Sequence, residues 1–263
     1  MDLSAYKFIK AKRNGRLLTL TLDNPPMNSI SYGLHTELSR IFYDVQADAG
    51  SDVVLITGAG EVFSAGGDIP LMQKRIDNPE MCFPKNIEIK QIVSSLLDLE
   101  KPVVCRINGD CMGFGVTLAL LCDITIAVDS ARLGDPHVKM GYVTGDGAAV
   151  IWPQLVGYAR AKEYLLTGDM LSAHEAERIG LINYCVSRDQ LDDKVRHFTD
   201  RFVNGATRAI RWSKTCINIP LKVLANSIMD AAIAYQTLTN NSADHQEAVN
   251  AFREKRKPNF TGR

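Results

Sequence analysis

The chain has 263 residues, with 30 basic and 30 acidic side chains and a pI near 6.9. A chain of this length buries most of its apolar surface without disulfides. The balanced charge argues against a nucleic-acid-binding protein and against one drawn to an anionic membrane surface. Six cysteines without a CxxC pair predict reduced thiols, so we expect neither disulfides nor a metal site.

The apolar segments of the chain predict a cytoplasmic protein. Residues 1–12 contain no apolar core of a signal peptide. The longest apolar stretch, residues 116–121, is far shorter than the roughly 20 residues that a membrane-spanning helix needs. We therefore expect no transmembrane segment.

The first quarter of the sequence alternates strand and helix patterns. Residues 16–22 alternate β-branched and apolar side chains and end at an Asn-Pro-Pro turn, which predicts a strand in a hairpin-like unit. Ser31 then opens a segment whose apolar residues recur at helical spacing as far as Val45. Residues 53–57 form a short apolar strand.

The middle of the chain repeats this order of elements. The pattern predicts a helix at 87–99, a strand at 102–107, a helix at 114–121 and a strand at 124–128. Short apolar strands separated by helices indicate an α/β fold whose strands are buried on both faces. Residues 77–85 contain two prolines and are predicted to form a mobile loop beside the site.

Helical periodicity dominates beyond residue 160. One last strand is predicted at residues 181–186, and helices are predicted at 189–202, 206–216, 223–238 and 243–255. We accordingly divide the chain into an α/β core of residues 1–200 and a helical region of residues 201–263.

Two glycine-rich turns carry most of the functional information. Residues 63–69 read Phe-Ser-Ala-Gly-Gly-Asp-Ile, and residues 108–115 read Asn-Gly-Asp-Cys-Met-Gly-Phe-Gly. Each turn leaves a strand and enters a helix, so each can hold a backbone N–H group free and aimed at a common point. The pair predicts an oxyanion hole, and Asp68 is the predicted cap of the helix that begins at Ile69.

These turns resemble those of the crotonase superfamily, the enoyl-CoA hydratases and isomerases. Further matches at residues 122–124, 131–136 and 173–181 extend the resemblance over nearly the whole chain. It implies a crotonase-like spiral of ββα units, with C-terminal helices that assemble a homotrimer or a dimer of trimers. It also implies an acyl-CoA thioester as substrate, with coenzyme A as part of that substrate and no separate cofactor.

The resemblance also implies which residues bind the thioester. The oxyanion donors are expected to be the N–H groups of Gly67 and Phe114, and the Phe114 ring, which replaces a glycine usual in the family, is expected to narrow the pocket. The substrate-binding and CoA-binding positions are expected to be Ala65, Gly66, Gly67, Asp68, Ile69, Phe114 and Thr117. The candidate cations for the CoA phosphates are Lys74, Arg75, Lys255 and Lys257.

The acid and base positions depart from the usual hydratase pattern. Thr117 and His137 stand where typical hydratases of the superfamily carry two glutamates. We expect His137 to be the catalytic base and Asp146, nine residues later, to be its partner, with Asp135 also close enough to raise the pKa of the histidine. Thr117 either orients a water molecule or fills space, and we favour space filling.

Three hypotheses about function follow. The first is an enoyl-CoA hydratase or isomerase that stabilises a thioester enolate. The second is a retro-Claisen hydrolase of a β-dicarbonyl substrate, because the sequence from His137 to residue 153 resembles the β-diketone hydrolase branch of the superfamily. The third is an acyl-CoA-binding subunit without catalytic activity.

Overall fold

The computed structural model describes residues 3–263, and nine strands lie in that range. They are β1 (Ile9–Asn14), β2 (Leu17–Leu22), β3 (Val53–Gly58), β4 (Val103–Ile107), β5 (Cys111–Met112), β6 (Ile124–Val128), β7 (Arg132–Gly134), β8 (Leu171–Ser172) and β9 (Tyr184–Val186).

The strands form two sheets. The larger has the order β1-β2-β3-β4-β6-β9, in which β1 and β2 are an antiparallel hairpin and every later pair is parallel. The smaller has the order β5-β7-β8. The side chains of β4 and β6 are almost all buried, as expected of parallel strands covered by helices on both faces.

Nine α-helices lie in the described part of the chain, residues 3–263. They are α1 (Tyr32–Ala47), α2 (Ile69–Asp77), α3 (Cys82–Asp98), α4 (Phe114–Leu120), α5 (Ala148–Thr167), α6 (Ala173–Arg178), α7 (Arg188–Val203), α8 (Thr207–Asn240) and α9 (Ala243–Glu254). Short 3-10 helices occupy Leu3–Ala5, Pro79–Met81 and His137–Met140.

The α/β fold with C-terminal helices is confirmed. The predicted hairpin is β1 and β2, and the predicted helix after Ser31 is α1, whose first turn Ser31 caps by accepting a hydrogen bond from the Leu34 N–H at 3.3 Å. The strands predicted from residues 53, 102 and 124 are β3, β4 and β6.

The prediction of a mobile loop at residues 77–85 is wrong. Most of this segment is helical, because α2 continues to Asp77, a 3-10 turn spans Pro79–Met81 and α3 begins at Cys82. Pro84 lies in the first turn of α3, where a backbone N–H has no acceptor within the helix in any case, so proline is tolerated there.

Helix α8 is the second difference from prediction. The two helices predicted at 206–216 and 223–238 are one helix of 34 residues with Pro220 inside it. Packing against α3 and α5 holds the helix together across the proline, and such tertiary packing is invisible in the local sequence. The strands β5, β7 and β8 were missed because two or three residues carry no readable periodicity.

Helix α8 also bears on the expectation that the chain has no transmembrane segment. Among residues 3–263, it is the one helix that is long and apolar enough to cross a membrane, with a mean hydropathy of 1.3 in its most apolar window. One side of α8 is nevertheless anchored on the protein, because Lys214 donates to the Lys101 carbonyl at 2.9 Å and pairs with Asp123 at 2.8 Å. The absence of a membrane span remains a prediction.

Candidate active site

The two glycine turns pack directly against each other. Gly66 has a φ of +78° and Gly113 a φ of +54°, and both values favour glycine. A Cβ on Gly66 would lie 2.8 Å from the Met112 carbonyl oxygen, so a larger residue would push the turns apart. The Ile30 N–H donates to the Gly66 carbonyl at 2.7 Å and fixes the first turn.

The backbone N–H groups of Gly67 and Phe114 are available to a ligand. Within residues 3–263, neither donates a hydrogen bond to a protein acceptor, and both residues line the same cavity. Phe114 is the first residue of α4, so the positive end of that short helix strengthens the Phe114 N–H as a donor to a negatively charged oxygen. The positive φ falls on Gly113, and a phenylalanine therefore fits at position 114 without backbone strain.

The Phe114 side chain forms part of the cavity wall. Its ring is buried and stacks on His35, with ring centroids 5.8 Å apart. Behind the stack, His35 Nδ1 lies 2.6 Å from Glu88, and the same carboxylate accepts a hydrogen bond from Lys85 at 2.6 Å. A polar cluster thus holds the Phe114 ring in place.

Two spaces meet at the turns. The inner cavity has a volume of about 60 Å³ and is lined by Ile30, His35, Gly67, Asp68, Leu71, Met72, Arg75, Ile89, Phe114, His137, Tyr142, Asp146 and Gln236. The outer groove has a volume of about 620 Å³, and one of its walls contains Ala65, Gly66, Gly67, Asp68 and Ile69. Gly67 and His137 line both spaces, and the Met72 methyl group lies over Gly67 at the junction.

The remaining predicted ligand-binding residues divide into two groups. Asp68 caps α2 by accepting a hydrogen bond from the Leu71 N–H at 2.7 Å. Lys74, Lys255 and Lys257 are exposed. Arg75, by contrast, lines the inner cavity, which makes it unsuitable as a surface ligand for a CoA phosphate.

His137 lies between two carboxylates. It begins the 3-10 helix after Pro136, and its Nδ1 forms a short hydrogen bond with Asp135. Its Nε2 lies 3.2 Å from Asp146 Oδ2, so the structure brings the predicted pair into contact. Asp146 stands immediately before Gly147, whose φ of +115° starts α5 and turns the carboxylate back toward the cavity.

Two threonines hold the carboxylates in place. Thr144 donates to the second oxygen of Asp135 at 2.6 Å, and Thr117 donates to Asp146 Oδ1 at 3.3 Å. Thr117 is fully buried and does not line the inner cavity. We favoured a space-filling role for Thr117, but this description is incomplete, because the Thr117 hydroxyl group also positions Asp146.

The charges around His137 set its protonation. Burial by itself lowers the pKa of His137, but the Asp135 and Asp146 carboxylates outweigh burial and raise the pKa well above its usual value. Burial raises the pKa of Asp135, but His137 and the hydrogen bond from Thr144 lower it by more. The pKa of Asp135 is therefore below its usual value. The two carboxylates therefore favour the form of His137 that carries a proton on both ring nitrogens.

Asp135, His137 and Asp146 also place donor atoms within 4.8 Å of one another, the spacing of a small metal site. The ring nitrogens of His137 are both engaged with the carboxylates, and a protonated imidazole has no lone pair for a metal ion. The expectation of no metal at this site remains a prediction.

Several cavity residues were not singled out from the sequence. His35, Tyr142 and Gln236 come from distant parts of the chain and meet only in the folded structure. The position of Arg75 was readable in principle, because Asp68, Leu71, Met72 and Arg75 follow the i, i+3, i+4, i+7 spacing of one helix face.

Comparison with known proteins places the chain among similar sequences and folds. The family model described as enoyl-CoA hydratase/isomerase matches residues 12–263. The chain is 33% identical over 259 residues to a crotonyl-CoA hydratase from Syntrophomonas wolfei, covering 97% of this chain and 98% of the relative.

Solved structures show the same similarity in three dimensions. An enoyl-CoA hydratase/isomerase from Mycobacterium paratuberculosis aligns with a TM-score of 0.89 at 30% identity, covering 92% of this chain and 97% of that one. A β-diketone hydrolase from the cyanobacterium Anabaena, bound to (S)-3-oxocyclohexyl acetic acid, aligns with a TM-score of 0.84 at 25% identity, covering 90% of this chain and 96% of the other.

Proposed function

We propose that this chain, which belongs to the enoyl-CoA hydratase/isomerase family, binds an acyl-CoA thioester and hydrates or isomerises its enoyl group. The observation that carries the proposal is the pair of unpaired N–H groups of Gly67 and Phe114, which face one cavity together with Asp146 and His137. Two such donors stabilise the oxyanion of a thioester enolate, and removing one typically costs roughly 3 to 4 kcal/mol.

The two spaces suit the two parts of this substrate. The outer groove, with a volume of about 620 Å³, has room for the pantetheine arm, and its wall of Ala65 to Ile69 is the segment expected to contact CoA. The inner cavity is small, so it suits a short acyl chain whose carbonyl lies at the junction beside Gly67.

Asp146 and His137 carry out the proton transfers together. His137 was expected to be the base, but its raised pKa favours the protonated form, and we assign to that form the role of proton donor. Asp146 is the carboxylate that lines the cavity, so we assign it the role of proton acceptor. In isomerisation, Asp146 removes a proton from one carbon of the acyl chain, and the Asp146–His137 pair returns a proton to another carbon. In hydration, water adds to the β carbon and the α carbon takes a proton.

A second candidate is retro-Claisen hydrolysis of a β-dicarbonyl compound. It is favoured by the contact between His137 and Asp146 and by the structural likeness to a β-diketone hydrolase. Water would lose a proton to Asp146 as it adds to one carbonyl carbon. The C–C bond would then break, its electron pair would form an enolate at Gly67 and Phe114 that takes a proton from His137, and Asp146 would pass its proton to His137. A subunit that binds acyl-CoA without turnover is the third candidate.

The test is incubation with a panel of enoyl-CoA, 3-oxoacyl-CoA and cyclic β-diketone compounds, followed by mass detection of products and absorbance of the enoyl thioester. Asp146→Asn should lower turnover by about 10²- to 10⁴-fold, because it removes the proton acceptor, and should leave acyl-CoA affinity within a few-fold. The matched control is Asp169→Asn, an exposed carboxylate paired with Lys139.

The outcomes separate the candidates. Water addition or a shifted double bond supports the main proposal, and C–C cleavage supports the second candidate. Tight binding without any product supports the silent subunit. If no acyl-CoA thioester binds, the proposal of an acyl-CoA ligand is wrong.

A further inference from the structure

The inner cavity contains a cation that no protein carboxylate neutralises. Arg75 lies in the last turn of α2 and lines the cavity. Its Nε is fully buried and has no hydrogen-bond partner among residues 3–263. A guanidinium whose Nε is buried and unpaired, and which has no carboxylate partner, is costly, so its retention in a cavity points to an anionic partner that arrives with the ligand.

The carboxylates around Arg75 are already engaged. Asp68 accepts from the Leu71 N–H, Glu88 pairs with Lys85 and His35, and Asp146 pairs with His137. Within residues 3–263, none of them lies within ion-pair distance of Arg75. Arg75 therefore brings to this wall a positive charge that no carboxylate among residues 3–263 neutralises by an ion pair.

Neighbouring groups show the influence of the uncompensated charge. Burial lowers the pKa of His35, and the positive charge of Arg75 contributes to the same decrease. Burial raises the pKa of Tyr142 to about 12, and Arg75 opposes that rise. His245 is also buried, with a lowered pKa to which Arg75 contributes.

The position of Arg75 fits the distal end of a short acyl chain. Arg75 is six residues beyond Ile69, where α2 begins next to the oxyanion donor Gly67, and a helix rises 1.5 Å per residue, about 9 Å in all. The cavity volume of about 60 Å³ leaves room for only a few atom groups, since one water molecule needs roughly 10–15 Å³ of such space.

We propose that Arg75 binds a second carboxylate at the distal end of the acyl group, so that the substrate is the CoA thioester of a short dicarboxylic acid. The planar guanidinium matches a carboxylate through two parallel hydrogen bonds, a geometry that lysine cannot reproduce. This inference rests on the proposed acyl-CoA function and specifies its substrate class.

The test compares two non-reactive thioesters of equal length by calorimetry. Pentanoyl-CoA and glutaryl-CoA each have a five-carbon acyl chain, and they differ in that glutaryl-CoA ends in a carboxylate. Wild-type protein should bind glutaryl-CoA at least 10-fold more tightly, since a charge-assisted pair in a buried site is worth roughly 1.5–3 kcal/mol. Arg75→Met should abolish the preference, and Arg75→Lys should retain only part of it.

Arg160→Met is the matched control, because Arg160 is exposed on α5 and pairs with Glu163. This variant should keep the full preference for glutaryl-CoA. Equal binding of both thioesters to wild-type protein would overturn the inference while leaving the acyl-CoA function intact. Binding of neither thioester would instead mean that the proposed function has failed. The wild-type comparison stands even if Arg75→Met does not fold.

Discussion

His137 shows how two neighbours change the chemistry of one side chain. An isolated histidine titrates near pH 6.5 and is a natural base at neutral pH. Here Asp135 and Asp146 each bond one ring nitrogen, and their charges raise the pKa of His137 well above that value in spite of burial. The two carboxylates thus favour the protonated imidazole, which is why we propose that His137 donates a proton.

The raised pKa makes stability depend on pH. Because the pKa is higher in the folded than in the unfolded state, the stabilisation is fully present below about pH 6.5 and is lost as the pH rises through the folded pKa. Urea unfolding from pH 6 to pH 10 should show wild-type stability falling by up to about 1.4 kcal/mol per pH unit in this window. His137→Asn should remove this dependence.

The control for this measurement is His197→Asn, since His197 is exposed on α7. It should follow the wild-type curve. Parallel loss of stability in wild type and His137→Asn as the pH rises would contradict the raised pKa.

Gly113 is the residue on which the second oxyanion donor depends. Its φ of +54° and ψ of −127° are accessible to glycine and strained for other residues. Gly113→Ala should cost about 1–3 kcal/mol of stability and should lower turnover strongly, because the backbone that aims the Phe114 N–H must shift.

Gly60→Ala provides the comparison for Gly113→Ala. Gly60 also has a positive φ, +68°, and a Cβ there would meet nothing within 4 Å. Its strain should cost about 1–2 kcal/mol without affecting turnover. Equal loss of activity in both variants, measured at a temperature where both are folded, would count against the assigned role of the second turn.

At the scale of elements, α2 connects the oxyanion hole to the acyl pocket. It begins after Gly67, carries Met72 at the junction of the two spaces and ends near Arg75. Asp68 caps it, and the Asn240 side chain of α8 donates to the Arg75 carbonyl at 3.2 Å, so both ends are fixed.

Removing the cap should therefore affect binding as well as stability. Asp68→Ala should cost about 1 kcal/mol in the free energy of unfolding and should weaken acyl-CoA binding several-fold, because α2 would fray beside Gly67. Thermal unfolding and calorimetry measure the two effects.

Ser172→Ala serves as the matched cap removal. Ser172 caps α6 by accepting from the Glu175 N–H at 3.2 Å, and α6 does not line the inner cavity. It should cost similar stability with unchanged affinity. If Asp68→Ala also leaves affinity unchanged, α2 does not depend on its cap to shape the site.

At the scale of the whole molecule, α8 leaves an apolar stripe uncovered. Trp212, Cys216, Ile219 and Val223 recur at intervals of four, three and four residues, which places them on one side of the helix, and all four are exposed. An exposed stripe of this kind indicates a surface that another molecule covers. We propose that it is a contact between copies of this chain, consistent with the trimer or dimer of trimers expected from the sequence.

Sedimentation velocity tests this assembly. Wild-type protein should sediment as a multiple of the 29.0 kDa chain, and Ile219→Glu should shift the population toward monomer, because it buries a charge in the contact. Gln190→Glu, which adds the same charge at an exposed position of α7, should leave the mass unchanged. A monomeric wild-type protein would contradict the proposed contact.

Local sequence patterns predict the α/β fold, the two glycine turns and the cap at Asp68, because these depend on neighbours a few residues apart. The pairing of His137 with Asp146 was expected from the resemblance to the crotonase superfamily, and the structure brings the two side chains into contact. The continuity of α8 across Pro220 was not predicted, because it depends on packing against distant helices, and the helix at Pro84 was not predicted because its start at Cys82 carries no capping side chain.

The protonation of His137 and the charge compensation of Arg75 became visible only in the folded protein. Two carboxylates on opposite sides of His137 favour its protonated form, and the guanidinium of Arg75 lines the inner cavity without a carboxylate partner among residues 3–263. Protonation and charge compensation depend on distances in space and on burial, and a linear spacing of residues does not specify either.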